Sequence, residues 1–472
     1  MDRKTFIVDL SLATAGMLTA GPSLAGNADF PVVRPPLSRR KFTSPAVEQL
    51  IVDFTNSTAN RELAWLFGNC FPNTLDTTVD FSMQNGRPDT YVITGDIDAM
   101  WLRDSSAQVW PYLPLMKQDS GLQQLISGVI NRQTRCILKD PYANAFYKDE
   151  DKVSEWKKTD LTDMKPGIHE RKWEIDSLCY PVRLGYGYWK ATGDQSPFDK
   201  DWNQAMHLII QTFREQQRKQ GQGPYSFQRE TSWATDGVAM SGYGYPAKYT
   251  GMIYSMFRPS DDATVFPFLI PSNCFALVIL GYLSEMALHI SKDRTLARES
   301  SALADELKNG IDNYGTVIHP RYGSLYVYET NGFGSHHLMD DANIPSLLSL
   351  PYLQYASLQD VIYRNTRDYV LSEENPFFFK GSAGEGTGGP HAGKDMIWPL
   401  GVCMRALTST DDREIKFCLQ MLQHSNAGTG YMHESFQKDD VSNFTRKWFA
   451  WANTLFGELV WKIFREKPYL LS

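Results

Sequence analysis

Six stretches of the chain are apolar on nearly every helical face. With the first residue of each, they are MWLRDSSAQVWPYL from Met100, DSLCYPVRLGYGYW from Asp176, IPSNCFALVILGYL from Ile270, IPSLLSLPYL from Ile344, IWPLGVCMRAL from Ile397 and FAWANTLFGELVWKIF from Phe449. A helix that is hydrophobic all round is normally buried on all sides. The pattern therefore predicts six buried helices.

Amphipathic stretches lie between the buried ones. In SPFDKDWNQAMHLIIQTFREQQRKQ and DRTLARESSALADELKNGIDNYG the apolar residues recur at i, i+3, i+4 and i+7, which is typical of half-exposed helices. Buried helices that alternate with half-exposed ones predict an all-α (α/α)6 toroid, in which an outer ring of helices wraps an inner ring. Minor β elements are expected in the loops, for example at SLYVYET from Ser324.

Polar loops that contain Gly or Pro precede most of the buried helices. These loops read TGDIDA, KWEID, RPSDDATVFPFL, HHLMDDAN and GEGTGGPHAGKD. If the loops converge on one mouth of the toroid, their carboxylates line a single pocket.

Composition narrows the classes of partner. The net charge of -7 is spread along the chain without a basic run, so nucleic acid is not an expected partner. The 12 Trp and 23 Tyr residues suit either a sugar-binding surface or a large aromatic core. A length of 472 residues fits one large helical barrel as well as several average domains.

The N-terminus has the pattern of a secretory signal. Arg3 and Lys4 precede the apolar stretch FIVDLSLATAGMLTAG, which contains one charged residue, Asp9, and Ser23-Leu24-Ala25 follows as a small-residue exit. We expect a signal peptide at 1–26, a linker at 27–43 and one catalytic domain at 44–472. The signal predicts export, to a bacterial periplasm. No membrane span is expected, because no later stretch has about 20 uninterrupted apolar residues.

The six cysteines show no pattern of a metal site. They lie far apart, with no CxxC or Cys/His spacing, and most stand in apolar helical contexts: Cys70, Cys136, Cys179, Cys274, Cys403 and Cys418. A free cysteine in such a context behaves as a small hydrophobe. We expect free thiols in the core and no metal.

Two loop motifs offer paired carboxylate chemistry. Asp261 and Asp262 are adjacent and lie between Arg258 and an apolar run, which invites split pKa values; the alternative is an N-cap with a surface neighbour. Glu434 stands beside His433 in GTGYMHESFQ, for which an exposed turn is the alternative.

Charges also surround Trp101. Asp96, Asp98, Arg103 and Asp104 precede or begin a buried helix, and charges near apolar surface must be paired or hydrogen-bonded. The cluster is therefore either a structural ion pair or a site.

Three further carboxylates leave the same choice open. Asp176 stands where an N-cap belongs, and Asp340 and Asp341 could also cap a helix. Each could instead belong to a site.

The loop GEGTGGPHAGKDMIWP resembles two nucleotide-binding motifs without matching either. Pro390 and Gly393 stand where a Rossmann helix should run, and Asp395 replaces the Ser or Thr of a P-loop. A glycine-rich loop with His391 and Lys394 still suits close backbone approach to a polar ligand. No cofactor is expected, and carboxylates remain as the available chemistry, which is the chemistry of glycoside hydrolysis.

Four motifs resemble the signature stretches of glycoside hydrolase family 125. They are TGDIDAMWLRDSSAQVWPYL, FRPSDDATVFPFLIPSN, ANIPSLLSLPYL and YMHESF, and the similarity runs from about Ser44 to the C-terminus. The resemblance implies an (α/α)6 fold and a metal-independent, exo-acting α-mannosidase. Such an enzyme removes terminal α-1,6-linked mannose from mannans or N-glycans with inversion, so a mannose-containing oligosaccharide is the expected partner.

The resemblance also implies residue roles. Asp261 would be the general acid, with Asp262 as the alternative, and Glu434 the general base. The acid is expected to have a raised pKa and to stand about 6.5–9.5 Å from the base, as in inverting enzymes. The expected substrate-binding residues are Asp98, Trp101, Arg103, Asp104, Asp176, Arg258, His391, Lys394 and His433.

A different function on the same scaffold is the alternative. The chain could be a non-catalytic glycan-binding protein or a glycosidase of another specificity. The presence of both Asp261 and Glu434 favours catalysis, because a binding module needs no acid and base pair.

Overall fold

A computed structural model describes residues 30–471 of the chain. The predicted signal peptide, 1–26, lies outside these residues. The α-helices are α1 Pro45–Ser57, α2 Arg61–Cys70, α3 Asn73–Thr77, α4 Leu102–Val109, α5 Ser120–Lys139, α6 Ile175–Thr192, α7 Lys200–Gln216, α8 Ile270–Met286, α9 Arg294–Tyr314, α10 Val361–Val370, α11 Pro399–Leu407, α12 Asp412–His424 and α13 Ala450–Glu466, with a short helical turn at Ala239–Gly242.

Short antiparallel strands occupy the loops. They are β1 Val79–Gln84, β2 Arg87–Val92, β3 Met100–Trp101, β4 Ala145–Phe146, β5 Asp160–Leu161, β6 Ile168–Glu170, β7 Gln228–Arg229, β8 Phe268–Leu269, β9 Thr316–His319, β10 Gly323–Tyr326, β11 Glu329–Thr330, β12 His336–His337, β13 Phe378–Lys380, β14 Glu385–Thr387, β15 Met396–Ile397, β16 Ser435–Gln437 and β17 Asp440–Thr445. Three small sheets, with orders β3-β4-β6, β12-β11-β8 and β15-β16-β17, lie at the starts of inner helices.

The predicted toroid is confirmed. Helices α4, α6 and α8 pack in succession, and α11 packs on α13, which in turn packs on α4. Outside them, α5 packs on α6, α9 on α8, α12 on α11 and α2 on α13, while α7 packs on α5. Five of the six predicted buried helices therefore form the inner ring.

The sixth predicted buried helix is wrong. Residues 344–353 form bends and turns, and Tyr180 of α6 donates to the Ile344 carbonyl at 2.9 Å. Ser346 and Ser349 each accept the other's backbone N–H, an arrangement that competes with a helix. The apolar side chains are nevertheless buried, so the pattern identified burial correctly but not the secondary structure.

Helix N-termini differ between the two rings. The outer helices begin with capping side chains, for example Asp119 of α5 and Asp293 of α9, which accept backbone N–H groups. The inner helices α4, α6, α8, α11 and α13 begin without a side-chain cap, and most follow directly from a strand or a strand-like segment. Their first turns carry the positive end of the helix dipole at the same mouth of the ring.

The N-terminal segment before α1 packs on the domain. Arg34, in the predicted linker, donates to Glu48 of α1 at 3.0 Å and to Asp76 of α3 at 2.6 Å. The prediction of free thiols is confirmed, because all six cysteines are unpaired and buried.

One helix of the described residues, Ile270–Ser291, is long and apolar enough to cross a membrane by length and composition alone. Its α8 portion packs against α6 and α9 in the ring. This packing is that of a core helix, so the helix is weak evidence of a span.

Candidate active site

Arg103 is the centre of a buried carboxylate cluster. It lies in the first turn of α4, and its Nη1 donates to Glu174 at 2.6 Å and to Asp176 at 3.2 Å. Its Nη2 donates to Asp261 at 3.3 Å, and its Nε lies 3.5 Å from Asp104. The charges that surround an apolar helix start are therefore paired.

Asn144 and Lys172 tie the same cluster together from a second side. The Asn144 amide donates to Glu174 at 3.3 Å and to Asp261 at 3.5 Å. Lys172, also buried, donates to Asp236 at 2.8 Å and to the backbone carbonyl of Asp261 at 2.8 Å. Asp261 is thus fixed by both its backbone and its side chain.

The carboxylates of this cluster differ in their pKa. Burial raises the pKa of Glu174 well above its usual range and that of Asp176 to about 6, although Arg103 opposes both shifts. Burial would also raise the pKa of Asp261, but Arg103 and Lys172 together lower it to about 2. The expectation of a raised pKa at Asp261 is therefore wrong, because the sequence did not show its cationic neighbours.

Asp261 and Asp262 lie in a tight turn that directs their side chains to different surroundings. The Asp261 N–H donates to the Arg258 carbonyl at 2.9 Å, the Arg258 N–H donates to the Asp262 carbonyl at 2.8 Å, and Asp261 has a left-handed φ of 65°. Asp tolerates this conformation better than most residues. The Asp261 side chain is 21% exposed, whereas the Asp262 side chain is fully buried, accepts from Ser260 and lies 3.7 Å from His391.

Glu434 lies in the loop before α13, and its side chain is 13% exposed. Arg446 donates to it at 3.3 Å and also donates to the Thr94 carbonyl at 2.8 Å and to Asp96. The Thr94 hydroxyl in turn donates to Asp104 at 2.5 Å. Through Arg446, Thr94, Asp104 and Arg103, a continuous series of polar contacts connects Glu434 with Asp261, so the predicted convergence of the loops is confirmed.

The remaining predicted residues are placed differently from one another. Trp101 is buried with its ring on His169, at a centroid distance of 5.1 Å. Asp98 is 77% exposed and pairs with Lys152 at 3.8 Å. Lys394 is exposed.

Arg258 and His433 hold loops. The Arg258 guanidinium pairs with Glu329 at 2.7 Å, and Glu329 accepts two backbone N–H groups of the loop after Asp262. His433 is buried and stacked on Phe444 at 3.7 Å, with its ring nitrogens facing two backbone carbonyls. Both side chains therefore stabilise the loops that carry the site.

The sequence left open whether three carboxylates cap helices or belong to a site, and their contacts differ. Asp176 does not cap α6, whose N-cap is Glu174, and it faces Arg103 instead. Asp340 accepts the backbone N–H groups of Leu347 and Leu348, so it caps a turn. Asp341 lies where a Cβ on Gly389 would approach its carboxylate to 2.9 Å, which explains the need for glycine there.

Sequence reasoning missed Glu174, Lys172, Asn144 and Arg446. Lys172 and Glu174 lie two positions apart in the extended segment before α6, while Trp173 between them donates to the Tyr254 carbonyl at 2.7 Å. A period of two places alternate residues on one face. That alternation in KWEID was the signal that could have identified Glu174.

Several buried polar atoms of the site have no hydrogen-bond partner within the described residues. They include Trp101 Nε1, Asp176 Oδ1, Asp341 Oδ2 and Trp398 Nε1. Buried polar groups are normally satisfied by protein, water or ligand, so these atoms can each take part in one further hydrogen bond.

Residues 60–461 match the sequence model of the family described as metal-independent α-mannosidase, GH125. The chain belongs to this family. It is accordingly a glycoside hydrolase. Within residues 30–471, no three His, Cys, Asp or Glu side chains are grouped so that they could hold a metal ion.

Relatives of the GH125 chain cover nearly its whole length. It is 43% identical over 464 residues to the meiotically up-regulated gene 157 protein of Schizosaccharomyces pombe, covering 95% of this chain and 91% of that protein. A Streptococcus pneumoniae metal-independent α-mannosidase, solved in a non-productive complex with α-1,6-mannobiose, is 40% identical with a TM-score of 0.87, covering 90% of this chain and 100% of the other. A bacterial glucoamylase complexed with acarbose shares the fold alone, with 13% identity, a TM-score of 0.52, and coverage of 89% and 59%.

Proposed function

We propose that the chain is an exo-acting, inverting α-mannosidase that removes terminal α-1,6-linked mannose from mannans or N-glycans. The S. pneumoniae relative, 40% identical, was solved with α-1,6-mannobiose and is described in connection with the processing of N-linked glycans. The observation that carries the proposal is the pair of partly exposed carboxyl groups, Asp261 and Glu434, on one polar network within a GH125 chain.

Asp261 is the proposed general acid. A general acid must reach the glycosidic oxygen. Asp261 is partly exposed, whereas the carboxyl group of Asp262 is fully buried and faces Ser260 and His391. Exposure therefore favours Asp261 of the two.

Glu434 is the proposed general base. Its carboxylate accepts from Arg446, which is itself fixed by the Thr94 carbonyl and by Asp96. Arg446 binds one carboxylate oxygen of Glu434, and the second oxygen would bind the attacking water molecule. Arg446 thereby positions the base without taking part in the proton transfer.

The proposed reaction is a single displacement. Asp261 donates a proton to the leaving oxygen as its bond to the anomeric carbon breaks, while Glu434 takes a proton from the attacking water. The water attacks from the face opposite the leaving group, so an α-linked sugar is released as β-mannose.

The sugar subsite is proposed around Arg103. Asp104 shares its guanidinium, the fully buried Asp176 fixes it from the core side, and Trp101 Nε1 has no hydrogen-bond partner within the described residues. The carboxylates hold the guanidinium in one orientation, and its charge-assisted hydrogen bonds in turn fix the carboxylates that face the sugar hydroxyl groups.

Proton NMR of the first product tests this mechanism. With α-1,6-mannobiose as substrate, β-mannose should appear before mutarotation. Initial α-mannose would contradict the single displacement. No release of mannose at micromolar enzyme would favour a non-catalytic glycan-binding protein instead.

Export is a separate proposal that rests on residues 1–26 alone. N-terminal sequencing of the protein from its native host tests it. An intact Met1 in that material contradicts cleavage of a signal peptide.

A further inference from the structure

Glu174 and Asp261 share a side-chain hydrogen bond. Both also accept from Arg103, at 2.6 Å and 3.3 Å, and from the Asn144 amide, at 3.3 Å and 3.5 Å. An ionised carboxylate only accepts hydrogen bonds, so two carboxyl groups can share one only if a proton lies between them. A hydrogen bond between these two groups therefore requires a proton on one of them.

Charge balance leads to the same conclusion. Arg103 pairs with four carboxyl groups, those of Asp104, Glu174, Asp176 and Asp261, while the nearby Lys172 is already paired with Glu170 and Asp236. A buried excess of negative charge is relieved by proton uptake, because an uncompensated buried ion is costly.

Burial and charge favour Glu174 over Asp261 as the group that carries this proton. Burial raises the pKa of Glu174 well above its usual range, whereas Arg103 and Lys172 lower that of Asp261. Glu174 is fully buried, so it does not contact solvent or a sugar, while Asp261 is partly exposed. The group that holds the proton and the group that can reach a substrate are thus different residues.

We propose that Glu174 is a positioning residue that stores the acid proton and supplies it to Asp261 through their shared hydrogen bond. The inference rests on the proposed function, in which Asp261 protonates the leaving oxygen. It reconciles two demands on Asp261, which must be fixed by Arg103 and must also deliver a proton.

The proton balance of the cycle is closed. The Glu174–Asp261 pair begins with one proton, and the leaving oxygen takes that proton from Asp261 while its bond to the anomeric carbon breaks. Glu434 takes one proton from the attacking water as the new C–O bond forms. After product release, Glu434 loses its proton to solvent and the pair regains one through the exposed edge of Asp261, so only one water is consumed.

The test is the pH dependence of Glu174→Gln. The amide retains the size of the side chain and a donor to Asp261, but it cannot supply the shared proton. The alkaline limb of kcat/KM on α-1,6-mannobiose should move to lower pH by about one unit or more, which is about a tenfold loss on that limb. Activity on 2,4-dinitrophenyl α-mannoside should change far less, because its leaving group needs no proton.

Glu458→Gln is the matched control. Burial also raises the pKa of Glu458, but this residue of α13 accepts from Tyr352 at 2.9 Å and interacts with Arg183 rather than with Arg103. The alkaline limb of this variant should stay near that of the wild type. An unchanged limb in Glu174→Gln, or an equal loss on both substrates in folded protein, would overturn the inference.

Infrared difference spectroscopy provides a readout that does not need activity. The wild type minus Glu174→Gln spectrum at neutral pH should contain the C=O stretch of one protonated carboxyl group. Absence of that band overturns the inference even if the variant is inactive. Failure of the wild type to release mannose would instead reject the proposed function.

Discussion

Replacement of Arg103 by Met should reduce both stability and activity. Arg103 is buried and pairs with three carboxyl groups within 3.3 Å. Removal of one partner from a buried ion pair costs about 3–5 kcal/mol, because the other partner is left uncompensated. With an unfolding entropy of about 2.1 cal/mol/K per residue over roughly 440 residues, this loss lowers the Tm by about 3–6 °C.

The stability loss should depend on pH with a definite sign. In the wild type Arg103 and Lys172 lower the pKa of Asp261 to about 2, so the resulting stability is present above the unfolded pKa and is lost as the pH falls toward 2. Without Arg103 the carboxyl groups bind protons more readily in the folded state. The difference in Tm between wild type and variant should therefore be larger at pH 8 than at pH 5.

Thermal unfolding at both pH values and kinetics on α-1,6-mannobiose measure these effects. Arg103→Met should raise KM and lower kcat together, and Arg103→Lys should not restore activity, because the forked donor set is lost. Arg132→Met is the control, since Arg132 is a buried arginine that pairs with Asp89 by Nε at 2.9 Å; it should lose stability but retain its kinetics. Equal losses of Tm at pH 5 and pH 8, or wild-type kinetics for Arg103→Met, would refute the reasoning.

Three further outcomes are expected. Asp261→Asn should impair hydrolysis of α-1,6-mannobiose much more than that of aryl mannosides with good leaving groups, whereas Glu434→Gln should suppress both; equal effects of the two variants would contradict the assigned roles. Activity should survive exhaustive EDTA treatment, in line with the description of the family as metal-independent, and restoration of a lost activity by calcium or zinc would argue against it. Burial raises the pKa of Cys136 and Cys418 to about 12, so native protein should react with Ellman's reagent only after unfolding, and rapid labelling of the native state would contradict the described burial.

The periodicity of apolar residues predicted the two rings of helices well, because the apolar positions of a helix are the ones that become buried. The same pattern failed at Ile344, where burial came without a helix. Ser346 and Ser349 bond locally to the backbone there, and Pro351 removes a further N–H donor. A run of buried apolar residues does not by itself specify backbone conformation.

The sequence predicted which loops form the site, but it did not predict which side chains in those loops contact one another. Sequence could not separate Asp261 from Asp262, because a single turn directs one side chain to Arg103 and the other to His391. It also expected a sugar contact at His433, where the structure has a buried ring stacked on Phe444. Both differences depend on residues far away in the chain, which local patterns do not reveal.

Closure of the inner ring has a consequence for biosynthesis. Helix α13 packs on α4, and Arg446 reaches Thr94 across 352 positions of sequence. Contacts of such long range form late, because the intervening chain must first be ordered. A nascent chain that lacks α13 carries every named carboxylate of the site but has no closed ring. Activity should therefore arise only at the end of synthesis, and chains that terminate before α13 should be inactive.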